Sequence, residues 1–331
     1  MVRSGHFDLN LGAGLGTRLK PFTLELPKCL LPVAGKTILD YIVESTLSLP
    51  GVSERLFITG YRADAVENHL KSRRWGSTRC VLQSDPQGLG EAVSLVLPYV
   101  NDDEPLLIIL GDTLFEADLS AIVANPDNVL VTKKVADPER FGVAVRGADG
   151  FVSRLVEKPA EFVSDEALVG IYYIRDVRAL RCCLAKMMSG NLRTRGEFQL
   201  TDALQMMIEL GCRFATSGIT QWLDCGLPET LLATNARMLP GNSGAGAGVF
   251  LNSQIIPPCH IGSGCDIRGS RIGPNVSIAD GCRIENSQLE NAILWDGAVV
   301  RDAKIFASVL GCRASVVGKK GCFLLGSDSQ G

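Results

Sequence analysis

Over its first 240 residues the chain alternates short apolar runs with helical patterns. Arg55 to Thr59 reads as a strand and Ala63 to Lys71 as a helix. Cys80 to Gln83 with Gly90 to Leu97, and Leu106 to Gly111 with Leu119 to Ala124, repeat the pair. The run Leu106-Leu107-Ile108-Ile109-Leu110 is apolar at every position, which predicts a central strand covered on both faces. Strands dominate from Val129 to Ile174, and helices are expected over Arg178 to Met188 and Thr201 to Leu210. This alternation argues for an open, mostly parallel sheet flanked by helices.

Residues 241–248, Gly-Asn-Ser-Gly-Ala-Gly-Ala-Gly, read as a flexible linker. Beyond it the period changes. Aliphatic residues recur at Val249, Ile255, Ile261, Ile267, Ile272, Ile278 and Ile284, then at Leu289, Ile293, Val299, Ile305, Leu310 and Val316. The dominant step is six, and the small residues Cys259, Cys265 and Cys282 stand two positions before three of them. One aliphatic residue per six, with Gly and Asp in the turns, is the pattern of a hexapeptide parallel β-helix over residues 249–331.

Composition narrows the chemistry. With 46% apolar and 21% charged residues in 331, the chain reads as globular, not disordered, fibrous or collagen-like. The longest aliphatic run, Leu106 to Leu110, is far short of the roughly 20 residues a membrane span needs. The N-terminal residues show no secretory pattern, so a cytoplasmic setting is expected. A net charge of −3 gives no field that would draw the chain onto nucleic acid or an anionic membrane. The eleven cysteines include no CxxC pair, which points to reduced thiols, many of them buried. With only three histidines, His6, His69 and His260, catalysis is expected to rest on carboxylates, Lys and Arg.

The most informative segment runs from Leu11 to Lys28. Gly12, Gly14 and Gly16 follow the expected first strand and allow a tight turn whose N–H groups face an anion. The dinucleotide fingerprint fails because Thr17 and Leu19 stand where its last glycine would be, and a P-loop fails at Leu30. What remains is a glycine loop with Arg18 and Lys28 beside it, a clamp for a triphosphate. Asp112 closes the apolar strand and Asp224 follows Trp222-Leu223, and two such carboxylates suit Mg²⁺. Gln83 carries one amide donor and one acceptor, which the imide edge of uracil or thymine requires.

The run Gly14-x-Gly16-Thr17-Arg18-Leu19-x-Pro21-x-Thr23-x-x-x-Pro27-Lys28 resembles the signature of the sugar-1-phosphate nucleotidylyltransferases, or NDP-sugar pyrophosphorylases. The resemblance extends through Gln83-x-x-Pro86-x-Gly88-Leu89-Gly90, Leu110-Gly111-Asp112 and Glu157-Lys158-Pro159. It continues with Arg195-Gly196-Glu197, Leu200-Thr201-Asp202, Trp222-Leu223-Asp224-x-Gly226 and Pro228-Glu229. Cys29 departs from a common proline, and the expected first strand, His6 to Asn10, is polar at alternate positions.

The resemblance implies a Rossmann-like open mixed α/β nucleotidyltransferase domain over residues 1–240, followed by a left-handed parallel β-helix. It implies transfer of a nucleotidyl group from dTTP or UTP to a sugar 1-phosphate, glucose 1-phosphate by preference, with Mg²⁺ as cofactor. Arg18 and Lys28 take the catalytic roles, on the leaving pyrophosphate and near the α-phosphate. Leu11, Gly12, Ala13, Gly14, Gly16, Thr17, Gln83, Pro86 and Gly88 bind the nucleotide. Gly142, Glu157, Lys158 and Arg195 bind the sugar phosphate, and Asp112 and Asp224 hold the metal. The β-helix is expected to mediate homo-oligomerisation. Two alternatives stay open, a bifunctional protein whose β-helix also transfers acyl groups and a non-catalytic subunit of the same fold.

Overall fold

The computed structural model describes residues 16–331. The expected first strand, with Leu11, Gly12, Ala13 and Gly14, lies outside the described residues. The described chain forms two compact units, one of Ile42–Gly111 and Phe115–Trp222, the other of residues 16–41, Asp112–Leu114 and Leu223–Gly331.

In the first unit the elements follow in the expected order. They are β1 (Arg55–Thr59), α1 (Ala63–Lys71), β2 (Thr78–Leu82), α2 (Leu89–Val96), β3 (Leu106–Ile109), α3 (Leu119–Val123) and β4 (Asn128–Lys134). Then come β5 (Gly142–Arg146), β6 (Val152–Glu157), β7 (Glu166–Ile174), α4 (Val177–Ser189), α5 (Leu200–Glu209) and β8 (Phe214–Gly218). All four residues of β3 are buried, as its unbroken apolarity predicts. The apolar faces of α2, α4 and α5 pack with β1, β3 and β7 in one core that includes Ile58, Val93, Ile108, Leu184 and Leu204.

The sheet corrects one expectation. Among the described residues of the first unit only β1–β2 and β4–β8 pair in parallel. Strand β7 lies antiparallel to β3, β4 and β5, and β5 is antiparallel to β6. The region is therefore mixed, not mostly parallel. Its long central strand β7 is apolar and buried almost throughout, a pattern that periodicity cannot assign to either pairing sense.

The second unit carries a parallel β-solenoid. Val249–Leu251, Asp266–Arg268, Arg283–Glu285, Val299–Arg301 and Ser315–Val317 stack as one five-stranded ladder. Asp266 pairs with Arg283 and Arg283 with Val299, so successive coils take 17 and 16 residues, close to three six-residue repeats. Ile261, Ile267, Ile272, Ile278, Ile284, Leu289, Ile305, Leu310 and Val316 fill its interior with Cys259, Cys265 and Cys282. Asn252, Asn275, Asn286 and Asp302 take the left-handed backbone, which suits their short polar side chains. Ser270 and Ser287 stack one coil apart, with the Ser287 N–H donating to Ser270 Oγ at 3.0 Å. Two register details differ from the repeat read off the sequence. Leu294 and Val300, not Ile293 and Val299, belong to the interior cluster. Val249 and Ile255, in the first coil, are exposed.

The stretch read as a flexible linker is structured at both ends. The helix α6 (Pro228–Asn242) runs into it, and Gly244–Ala245 pairs in parallel with His260–Ile261. The reason is that no side chain obstructs this backbone. The Gly246 N–H donates to the Ile261 carbonyl at 2.7 Å, and the Ala247 carbonyl accepts from Gly264 N–H at 2.7 Å.

Within this unit, residues 16–41 rest on α6 and the solenoid. The Phe22 and Trp295 rings meet edge to face with centroids 5.5 Å apart, and both side chains are buried. The Ala34 N–H donates to the wholly buried Asn235 Oδ1 at 2.9 Å, and Gly35 lies against the His260 ring. Among the described residues no helix is long and apolar enough to cross a membrane. All eleven cysteines are unbridged, and six of them are buried.

Trp295 is thus the anchor for the segment that carries Arg18 and Lys28. Trp295→Ala is expected to destabilise the protein by about 3–5 kcal/mol, the range for truncating a buried aromatic side chain, as read by urea unfolding of the purified chain.

Candidate active site

Two groups of predicted site residues assemble in the first unit and one in the second. In the second unit Gly16 adopts the left-handed backbone at φ +52° and opens the short 3₁₀ turn Thr17–Leu19. Thr23 Oγ1 donates to the Gly16 carbonyl at 2.8 Å and closes the loop from below. A Cβ at position 16 would come within 2.7 Å of Thr23 Cγ2, so a glycine is needed for space as well as for conformation. Arg18 and Thr17 are exposed on this loop.

Lys28 Nζ lies 3.3 Å from Asp112 Oδ2, with the lysine side chain 15% exposed and the aspartate 49%. Asp224 is held at its backbone. Its carbonyl accepts from the buried Thr234 hydroxyl at 3.0 Å, and its Oδ1 accepts the Gly226 N–H at 2.8 Å. Lys28, Asp112 and Asp224 all lie close enough to act on the Cys225 thiol. Burial pushes that thiol up to about 12, so it stays protonated at neutral pH and is a packing group, not a nucleophile.

Among the described residues no cluster of three or more His, Cys, Asp or Glu is placed to hold a metal ion. By donor chemistry, carboxylates such as Asp112 and Asp224 would suit a hard divalent ion that keeps water and phosphate oxygens in its other positions. A closed protein cage is not their chemistry.

In the first unit, Gln83 follows β2, donates its N–H to the Thr59 carbonyl at 2.7 Å and is 3% exposed. Its Nε2 donates to Glu91 Oε2 in the first turn of α2, while its buried Oε1 finds no hydrogen-bond partner among the described residues. An unpaired buried acceptor costs about 1–3 kcal/mol, a cost that an arriving N–H donor would relieve. Gly88 shapes the same loop. Its φ is +123°, and a Cβ there would lie 2.5 Å from the Phe198 carbonyl oxygen. The Gly90 N–H donates to that oxygen at 2.7 Å, so the loops around 88 and 198 are clasped backbone to backbone. Pro86 is exposed beside them.

The predicted sugar-phosphate residues form the other group. Gly142 on β5 pairs with Glu157 on β6, and the Thr201 hydroxyl donates to Glu157 Oε2 at 2.7 Å. Lys158 Nζ lies 3.6 Å from Glu157 Oε1, and Arg195 Nη2 donates to the Lys158 carbonyl at 2.7 Å. Lys158 and Arg195 both take positive φ, +44° and +55°, a strained backbone that clusters at functional sites. Their charged ends, with the Glu157 carboxylate, offer an anion two cations and a hydroxyl-bearing ligand one acceptor.

Sequence reasoning left four supporting residues without a role. Thr201 steadies Glu157, Glu91 steadies Gln83, Thr234 holds Asp224 and Phe141 meets Trp222 at a tilt, with ring centroids 4.9 Å apart. Thr201 stands in the motif Leu200-Thr201-Asp202, and Glu91 shows as a lone charge in a helix otherwise apolar at Leu89, Ala92, Val93 and Val96.

A family described as nucleotidyl transferase matches residues 9–240. The chain belongs to the nucleotidyl transferase family. It is 31% identical over 93% of its length to a glucose-1-phosphate thymidylyltransferase of Streptomyces griseus, of which it covers 92%. It is 32% identical to the bifunctional protein GlmU of Methanococcus maripaludis over 69% of this chain and 53% of that one. A crystal structure from Bacillus anthracis, assigned as a glucose-1-phosphate thymidylyltransferase and determined with sucrose, superposes with a TM-score of 0.60. It shares 27% identity and covers 71% of this chain and 94% of that one.

Because Gly88 combines positive φ with backbone contact, Gly88→Ala is expected to lower stability by about 1–3 kcal/mol. Urea unfolding followed by circular dichroism would register the loss.

Proposed function

We propose that the protein transfers a nucleotidyl group from dTTP or UTP to glucose 1-phosphate and releases pyrophosphate. The observation that carries this reading is the pairing of Lys28 with Asp112 at 3.3 Å in a chain of this family. The near full-length similarity to the Streptomyces enzymes supports the choice of substrates.

In this reading a phosphate oxygen of the sugar phosphate attacks the α-phosphorus. A new P–O bond forms as the bond to the bridging oxygen of pyrophosphate breaks, and the leaving group departs with that electron pair. The sugar phosphate is already largely ionised at pH 7, so no general base is required. The protein's work is positioning and charge compensation. Lys28, held toward its site by Asp112, neutralises charge near the α-phosphate, and Arg18 on the exposed turn meets the leaving pyrophosphate. Gly16 and Thr17 cradle the triphosphate with Leu11, Gly12, Ala13 and Gly14, while Gln83, Pro86 and Gly88 meet the base. Gly142, Glu157, Lys158 and Arg195 hold the sugar phosphate. A magnesium ion on Asp112 and Asp224 would supply further compensation of phosphate charge.

The eleven unbridged thiols support a reducing, cytoplasmic setting. The similarity to GlmU favours a second reading in which the solenoid also transfers an acyl group. His260, the single histidine of the repeat, would be its base, and its Nδ1 lies 3.2 Å from the Asn242 carbonyl oxygen. The exposed Val249, Phe250 and Leu251 of the first coil support self-association with a second copy of the chain.

Pyrophosphate release with Mg²⁺, glucose 1-phosphate and dTTP or UTP tests the main reading. Asp112→Asn and Asp224→Asn are each expected to lower turnover by about 10²–10³, the scale for one preorganised electrostatic contact, and chelation should abolish it reversibly. Near-normal turnover in both variants would remove these residues from the site. For self-association, Leu251→Glu should reduce the sedimenting mass, and an unchanged mass would count against that surface.

A further inference from the structure

A glutamine amide reads a pyrimidine ambiguously when it is free to rotate. With its oxygen toward the ring nitrogen it accepts the N3–H of uracil or thymine and donates to O4. Turned over, it donates to N3 of cytosine and accepts from the N4 amino group. Discrimination therefore needs something that fixes the amide. In this chain Gln83 Nε2 donates to Glu91 Oε2, and both residues are buried, at 3% and 8% exposure. An ionised carboxylate accepts and cannot donate, so only one amide orientation is tolerated against it. Gln83 Oε1 is left buried and without a partner among the described residues.

We infer that Glu91 is a positioning residue that sets the orientation of the Gln83 amide, so that the site takes nucleotides whose base presents a ring N–H and refuses cytosine. The inference deepens the proposed function and rests on the placement of the base at Gln83. Glu91 belongs to the first turn of α2, whose neighbouring residues Gly90, Ala92 and Val93 are buried. Its own carbonyl accepts from the Ser94 hydroxyl at 2.6 Å, which ties this turn together. The carboxylate is thus carried on a packed helix and not on a loop, and the amide it holds cannot turn without placing oxygen against oxygen. Removing the negative charge while keeping the shape should release that constraint. A glutamine at position 91 pairs with Gln83 in either sense, because each amide then offers both a donor and an acceptor.

The test compares UTP and CTP on the full chain, wild type against Glu91→Gln. Affinity is measured by isothermal titration calorimetry with Mg²⁺, and kcat and KM by pyrophosphate release with glucose 1-phosphate. In Glu91→Gln the preference for UTP over CTP is expected to fall about 10-fold or more, roughly the scale of one hydrogen bond, with the loss carried by KM and by Kd. Gln83→Met should lose the preference to at least the same degree, and thermal unfolding checks that both variants are folded. An unchanged UTP-to-CTP ratio in folded Glu91→Gln overturns the inference while leaving the proposed function intact. If the wild type binds UTP but releases no pyrophosphate, the proposed function fails and the affinity ratio still decides the role of Glu91. A wild type that binds neither nucleotide overturns both.

Discussion

The constraint on which this site depends is the docking of residues 16–41 against parts of the chain more than two hundred positions away. Phe22 meets Trp295, Ala34 hydrogen-bonds to Asn235 and Gly35 lies against His260. These contacts fix the segment that carries Arg18 and Lys28, and a cation positioned by a packed core loses little entropy when it meets an anion. The solenoid is therefore more than an appendage. Its buried Trp295 and the helix Pro228–Asn242 form the seat of the glycine loop.

Electrostatics explains the choice of residue types within each unit. A site for polyanions needs cations, yet cations gathered without ligand repel one another. Here Lys28 is paired with Asp112, and Lys158 stands beside Glu157. Each pair keeps one partner open to solvent, so its worth to stability is small. Their consequence is orientation, since each carboxylate holds its lysine in place. Supporting hydroxyls extend the same logic, with Thr201 on Glu157 and Thr234 at the backbone of Asp224.

The two units also show how different signals survive in a sequence. The solenoid's period is legible because each face of each coil repeats the same demand, one aliphatic residue inward with a small residue close by. The slip of one position at Leu294 and Val300 was not legible. Ile293 and Val299 are equally apolar, and Ile293 is buried on a strand that the helix Pro228–Asn242 also packs against. The linker reading faltered for a related reason. Glycine and alanine are compatible with disorder, and equally with a ladder edge where backbone must approach backbone.

By itself the sequence determined the order of strands and helices and the coil repeat, and it supplied the candidates proposed above for phosphate, sugar and metal. These follow from local preference and side-chain chemistry, which are properties of short stretches. Tertiary structure alone decided the antiparallel pairings of the buried strand Glu166–Ile174, the seat of residues 16–41, and the partners of Gln83, Glu157 and Asp224. Each of these is a contact between distant positions. Its free energy depends on burial and on which donor faces which acceptor, and neither is written in the spacing of residues along the chain.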